Sequence, residues 1–213
     1  MGVTGFFRKC IIAFAFVTFS SSVSGSVSSE RLERFFERDV TYFAEFHQVV
    51  LDEGLHLVEE TVGLMWLKRP NLFRWEYFEP FAQTIVSNGE TVWVYDQELE
   101  QATVRDYSDA VGESAAQILA GIDNLEQNYT IEDLGEQGAL AWVAIFPKNE
   151  EESQFDSMRL AFDQDSLKNI EILDVLGNTT RLKLYDVILN SKFDANTFQF
   201  EVPSGVDVID ARE

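Results

Sequence analysis

From about residue 42 to residue 202 the chain alternates apolar and polar side chains through stretch after stretch, a period of two that commits it to β-sheet. Stretches 42–51, 55–67, 72–78, 83–87, 91–96 and 101–106 read as six strands. Stretches 129–134, 139–146, 155–163, 169–176, 180–190 and 197–202 read as six more. Asn88-Gly89 is a tight-hairpin signal, because both residues tolerate the positive φ such turns require. Asp52-Glu53-Gly54 and Asp163-Gln164-Asp165 mark further turns. Short turns between successive strands predict an antiparallel meander, since parallel neighbours need long crossovers. A dozen strands are too many for a flat layer, so the sheet should curl into a barrel or part-barrel. Two helices interrupt the alternation. One spans 29–40, capped by Ser29, with Leu32, Phe35 and Phe36 as its apolar stripe; the other spans 109–120, with Val111, Ala115, Ile118 and Leu119 on one side and Gly121 at its C-cap. Residues 140–146 are apolar on both faces, so one face must meet helices or a ligand besides the sheet's own core. The expected class is mainly β with a helical lid: an incomplete, unclosed antiparallel β-barrel around a hydrophobic cavity, covered by two or three α-helices.

The first 25 residues read as a secretory signal peptide. Arg8 and Lys9 precede an apolar run from Cys10 to Phe19, and Ser22-Val23-Ser24-Gly25 offers cleavage positions. That run is too short to span a bilayer as a helix. Residues 26–213 show no repeat or linker and read as a single domain. Cys10 is the only cysteine, so an exported chain lacks both a disulfide and a thiol nucleophile. Its stability must come from a packed core. The formal net charge is −21, and losing Arg8 and Lys9 takes it to −23. Such a field repels nucleic acid and anionic membrane surfaces and favours a dispersed monomer.

Enzymatic signals are weak. His47 and His56 are the only histidines, nine residues apart on what read as the two arms of a hairpin, which is a poor metal site. Gly112-Glu113-Ser114-Ala115-Ala116 lacks the final glycine of a nucleophile elbow, and its flanks read as helix. The Asp163/Asp165 pair has too few oxygen ligands for calcium. Carboxylates abound throughout, so no acid–base pair stands out. No enzyme, cofactor or metal is expected.

The positive signal is aromatic. Removing residues 1–25 leaves 13 Phe, 4 Trp and 6 Tyr, many at alternate strand positions, such as Phe73/Trp75/Tyr77 and Trp93/Tyr95. Leu72, Arg74, Glu76 and Phe78 share the other face of that first strand, and Arg74 is left to solvent. An ordinary β core explains such rings equally well. Arg69 adds a second cue. It precedes Pro70 at the lip of the aromatic wall, where its five donors can reach several carbonyls, although a plain surface charge at a strand end remains the alternative.

Residues Leu67-Lys68-Arg69-Pro70-Asn71-Leu72-Phe73-Arg74-Trp75, then Pro80 and the run from Ile85 to Asp96, resemble the LolA family of periplasmic outer-membrane lipoprotein carriers. Phe46-His47-Gln48 is similar to that family's aromatic-x-Gln strand, and the segments Leu99–Thr103 and Phe198–Ile209 match as well. The resemblance implies a half-barrel lidded by helices. It implies that Arg69 latches the lid, and that Phe73 and Trp75 serve lipoprotein acceptance. Trp66, Tyr77, Trp93, Tyr95, Trp142 and Phe162 are the further candidates for the cavity lining. The implied partners are acylated lipoproteins, the inner-membrane ATP-driven transporter LolCDE and the outer-membrane receptor LolB, in the periplasm of a Gram-negative bacterium. A periplasmic sensor of lipids or lipoproteins on the same half-barrel is the alternative. Two departures stand out: residues 54–61 are less glycine-rich than the family pattern, and the chain ends soon after Ile209, which puts an extra C-terminal strand in doubt.

Overall fold

The computed structural model describes residues 26–37, 40–110, 115–121 and 125–212, so the expected signal peptide lies outside the described residues. The described residues open with α1 (Val27–Glu37) and continue through β1 (Thr41–Leu51), β2 (Leu57–Lys68), β3 (Leu72–Glu79), β4 (Gln83–Asn88), β5 (Thr91–Asp96) and β6 (Gln101–Asp106). Three short helices follow: α2 (Tyr107–Ala110), α3 (Ala115–Ala120) and α4 (Leu125–Asn128). Then come β7 (Tyr129–Gln137), β8 (Leu140–Pro147), β9 (Phe155–Phe162), β10 (Leu167–Asp174), β11 (Thr179–Leu189) and β12 (Asp207–Asp210). The twelve strands of the described residues form one sheet in the order β12-β6-β5-β4-β3-β2-β1-β11-β10-β9-β8-β7, whose ends do not pair with each other. The expected unclosed, antiparallel-dominated sheet is what forms.

Period-two packing then defines two faces. The inner face carries Tyr42, Phe46, Met65, Leu67, Phe73, Trp75, Val143, Ile145, Leu160 and Phe162, which form one continuous core with the helices. Gly63 sits on this face because nothing larger fits. A Cβ there would stand 2.0 Å from the Glu76 carbonyl and 2.5 Å from the Phe46 ring.

Helix α1 packs over β7, β8 and β9, and α3 packs over β2 and β3. Ser26 rather than Ser29 caps α1, since the Ser29 N–H donates to Ser26 Oγ at 3.2 Å and Ser29 lies inside the helix. Of the helix expected over 109–120, α2 and α3 account for the described residues, and 111–114 lie outside the described residues. Residues 116–120 are all buried, so α3 is a plug rather than an amphipathic surface helix.

The C-terminal segment departs furthest from expectation. Instead of a strand at 197–202, a 3₁₀ turn at Ala195–Phe198 crosses the outer face and leads to β12, which pairs in parallel with β6. Crossing from β11 to the far edge of the sheet supplies the long connection that parallel pairing requires. The strand left in doubt by the sequence therefore exists, and it covers the edge of β6. Phe200 lies 5.3 Å from the Trp93 ring and 5.6 Å from Tyr95, beside buried Val86, Ala102, Val104 and Phe198. This is a second, smaller apolar layer on the outer face.

A lidded cavity with an arginine at its far turn

The β2–β3 turn is the seat of both lid helices. Its Arg69–Pro70 peptide is cis, and Asn71 adopts φ +65°, a conformation asparagine tolerates better than most residues. The Asn71 N–H donates to the Ala120 carbonyl at 3.0 Å, which ties the turn to the last turn of α3. The Asn71 carbonyl accepts from Ser87 Oγ at 2.7 Å, and the Arg69 N–H donates to Val40 at 2.8 Å.

From this fixed turn the Arg69 side chain runs inward. It is 4% exposed, and its guanidinium lies 4.3 Å from the Phe35 ring centroid and 5.1 Å from Phe36. Both rings belong to α1. One three-residue turn thus holds α3 by a backbone hydrogen bond and α1 by a cation on two aromatic faces. The sequence motif pointed to Arg69; Asn71 was missed, and its only signal was an asparagine in a turn after proline.

Phe73, Trp75 and Tyr77 share one face as the alternation predicts, and that face is the inner one. Phe73 is fully buried, and Phe46 packs against Trp75 at 5.8 Å and Tyr77 at 5.3 Å. Trp75, Tyr77, Gln48, Ile85, Phe155 and Leu182 line a cavity of about 270 Å³, with Ala116 of α3 against it. Phe162 is also an inner residue, but it packs under Phe35 of α1 at 5.7 Å, away from this cavity. A wider groove of about 750 Å³ runs between α1 and α4, with Leu32, Phe36, Leu125 and Ile131 beside Glu33 and Glu126.

Four of the expected lining aromatics stand on the other face. Trp66 pairs with Arg74 and Phe43, Trp93 with Val86, Tyr95 with Thr84, and Trp142 with Ala161, all outward-facing register positions. Trp66 packs on Phe43 at 5.3 Å, while Trp93 and Tyr95 meet Phe200. An aromatic at alternate positions shows that a face is covered, not which face or by what. Arg74, expected in solvent, lies half-buried beneath the C-terminal segment. It is ion-paired to Glu76 at 2.6 Å and donates to the Thr197 carbonyl at 3.5 Å. The two histidines do not face each other: His47 meets Glu60 at 2.6 Å, whereas His56 lies in the turn before β2 against Asp52.

Titratable groups around the cavity follow from burial. Burial pushes the Tyr77 phenol well above its ordinary value, with the Glu59 charge adding to the shift. Burial acts to raise Asp174, but hydrogen bonds from Asn178, Leu176 and Gly177 outweigh it and hold the carboxyl below its ordinary value. The cavity lies toward the end of the sheet where the hairpin tips expose Leu55, Phe81, Leu99 and Leu176. At the opposite end, Arg69 to Asn71, Asn88 to Glu90 and Asp163 to Ser166 make polar turns.

A curled, one-sided sheet with an apolar inner wall, helices plugging it and one turn that holds both α1 and α3 defines a lidded fold around a hydrophobic cavity. Comparison with known proteins places it further. The family model described as "Outer membrane lipoprotein carrier protein LolA" matches residues 40–201, and the chain belongs to that family. An outer-membrane lipoprotein carrier protein of Methylobacillus flagellatus is 41% identical over 180 residues, covering 84% of this chain and 87% of its own length. One from Nitrosospira multiformis is 37% identical over 203 residues, covering 95% and 97%. Among solved structures, an uncharacterized conserved protein from Thermus thermophilus superposes with a TM-score of 0.56 at 15% identity, covering 86% of this chain and 96% of its own, a likeness of fold.

Proposed function

We propose that the protein carries acylated outer-membrane lipoproteins through the periplasm. It would accept them from LolCDE and deliver them to LolB, after export by the signal peptide at 1–25. The observation that carries this reading is the Arg69 turn holding both α1 and α3 over an apolar cavity. A methylene group is close to a water molecule in size. At ~30 Å³ each, three acyl chains of ~15 methylenes need roughly 1,350 Å³, more than the 270 Å³ cavity and the 750 Å³ groove together. The described form is therefore a closed one, and cargo enters by displacing α3 and α1. Arg69 is the proposed latch; Phe73 and Trp75, directly under α3, are the proposed acceptance surface that its withdrawal uncovers.

Energetics fit a carrier that needs help to load. Three chains buried at ~0.8 kcal/mol per methylene amount to ~36 kcal/mol, beyond the practical ceiling of about 18–21 kcal/mol for noncovalent binding. A protein that must release its cargo should cover the chains incompletely, so extraction from the membrane requires an external energy source. The family relation supports an ATP-driven transporter in that role. Apolar hairpin tips around the cavity end offer a surface for handover. The test is release from spheroplasts. The expected result is an ATP-dependent soluble complex of this protein with an outer-membrane lipoprotein; release of lipoprotein without it, or failure to bind any, refutes the carrier reading.

A further inference from the structure

We propose that the cavity contains a subsite for neutral carbonyl oxygen, formed by Gln48, Trp75 and Tyr77, which recognises the ester or amide carbonyls at the head of an acylated ligand. The proposal rests on the carrier reading and adds what part of the cargo is recognised and by which groups. Gln48 lies on β1 two residues beyond Phe46, and Phe46 pairs with Gly63, which in turn pairs with Tyr77. Tyr77 and Trp75 are successive inward residues of β3. All three side chains line the same cavity, and the Phe46 ring touches both Trp75 and Tyr77.

Each brings a donor that the described residues leave without an acceptor. The Trp75 Nε1–H is wholly buried and has no hydrogen-bond partner. Neither the Gln48 amide nor the Tyr77 hydroxyl has one among the described residues. A buried indole N–H without an acceptor carries its full desolvation penalty, so the closed form keeps a cost that a ligand can relieve once the lid withdraws. Ile85, Phe155, Ile172 and Leu182 complete an apolar wall suited to alkyl chains. The missing partner is thus an acceptor attached to a chain.

Charge decides which acceptor. Asp174 lines the cavity as a carboxylate, its oxygens committed to the Leu176 and Asn178 N–H groups and the Asn178 amide. Glu59 acts on Tyr77 from the same side, and among the described residues no cation lines this cavity. A carboxylate or phosphate ligand meets repulsion without a counter-ion, whereas a carbonyl takes hydrogen bonds without adding charge.

The experiment compares 1-monopalmitoylglycerol with 1-O-hexadecylglycerol, the ether that lacks the carbonyl, and with palmitoyl lysophosphatidylglycerol, which keeps the ester and adds a phosphate. Binding to the mature chain is read by displacement of an apolar fluorescent dye. The ester should bind about tenfold tighter than the ether, the order of one or two neutral hydrogen bonds. It should also bind about tenfold tighter than the phosphate-bearing ester, which separates a glyceride head from a phospholipid one. Gln48→Leu and Tyr77→Phe should bring the ester-to-ether affinity ratio to about one, with circular dichroism checking that both variants fold. Equal binding of ester and ether by the wild type, or a preference that survives in both variants, overturns the subsite while lipoprotein capture from spheroplasts stands. Tight binding of the phosphate-bearing ester overturns its neutrality. No binding of any of the three overturns the subsite and the acyl-carrier reading together.

Discussion

Replacing Arg69 with leucine tests the latch with a magnitude the structure supplies. The guanidinium is 4% exposed and faces two rings of α1 at 4.3 and 5.1 Å. A desolvated cation–π contact contributes about 1–2 kcal/mol and the farther one less, so removing both weakens the closed form by about 2 kcal/mol. Leucine keeps apolar contact with Phe35 and Phe36, which limits collapse of the site. A shift of that size raises the opening constant about 30-fold. On the proposed mechanism, in which cargo binds the open form, its apparent affinity rises by up to about the same factor. The variant should therefore load normally or better and release about 30-fold more slowly. Transfer of a fluorescent acylated lipoprotein from the purified carrier to LolB-containing liposomes measures the release. Amide exchange in α1 and α3 measures the opening. Arg69→Lys should fall between the two, since an ammonium keeps the charge but loses the planar stacking. Wild-type transfer rates with unchanged exchange in the Leu variant would refute the latch.

The same geometry sets four further outcomes. Phe73→Glu puts a carboxylate at a fully buried position under α3; loading should be lost and the melting temperature should fall, and a loaded complex recovered at wild-type yield would remove Phe73 from the site. Phe200→Ala strips the ring from Trp93 and Tyr95; unfolding in urea should show a loss of about 2 kcal/mol and indole emission should shift red, while acyl binding stays unchanged because this layer lies on the outer face. Gly63→Ala should destabilise by ~3 kcal/mol, the upper end of overpacking, since its Cβ meets a backbone carbonyl; a neutral result would mean β2 and β3 can separate at no cost. Acid should loosen two turns. Burial acts to raise Asp163 and Asp174, but hydrogen bonds from Asp165 and Ser166, and from Asn178 and Leu176, hold both below the ordinary carboxylate value. Their stabilisation is thus present above that value and lost as pH falls through the lowered one. Asp174→Asn should flatten the corresponding part of a stability profile taken between about pH 5 and pH 2.

Much of the fold was legible because it depends on local periodicity. The strands of residues 42–51, 72–78, 91–96 and 101–106 form within a residue or two of where alternation put them, and Asn88-Gly89 turns as its composition demands. That Phe73, Trp75 and Tyr77 share one face follows from the same geometry. Elements defined by what packs on them were less visible. Residues 116–120 give a helix wrapped on every side, so the one-sided stripe expected for 109–120 had no meaning there. Ser26 outcompeted Ser29 as the cap of α1 because capping depends on where the chain enters the helix.

Residues close together in the chain suffice to specify a many-stranded antiparallel sheet, a strand with three aromatic rings on one face and an arginine beside it. Which aromatic rings face the cavity is settled by long-range packing alone. Trp66, Trp93, Tyr95 and Trp142 alternate as convincingly as Trp75, yet they lie outside, two of them under a C-terminal segment more than 100 residues away. Alternation separates two faces of a strand but does not name them. The naming comes from what covers each face, here α1 and α3 on one side and the crossover to β12 on the other. The same long-range packing brings Arg69 onto Phe35 and Phe36, and it assembles Gln48, Trp75 and Tyr77 around one cavity.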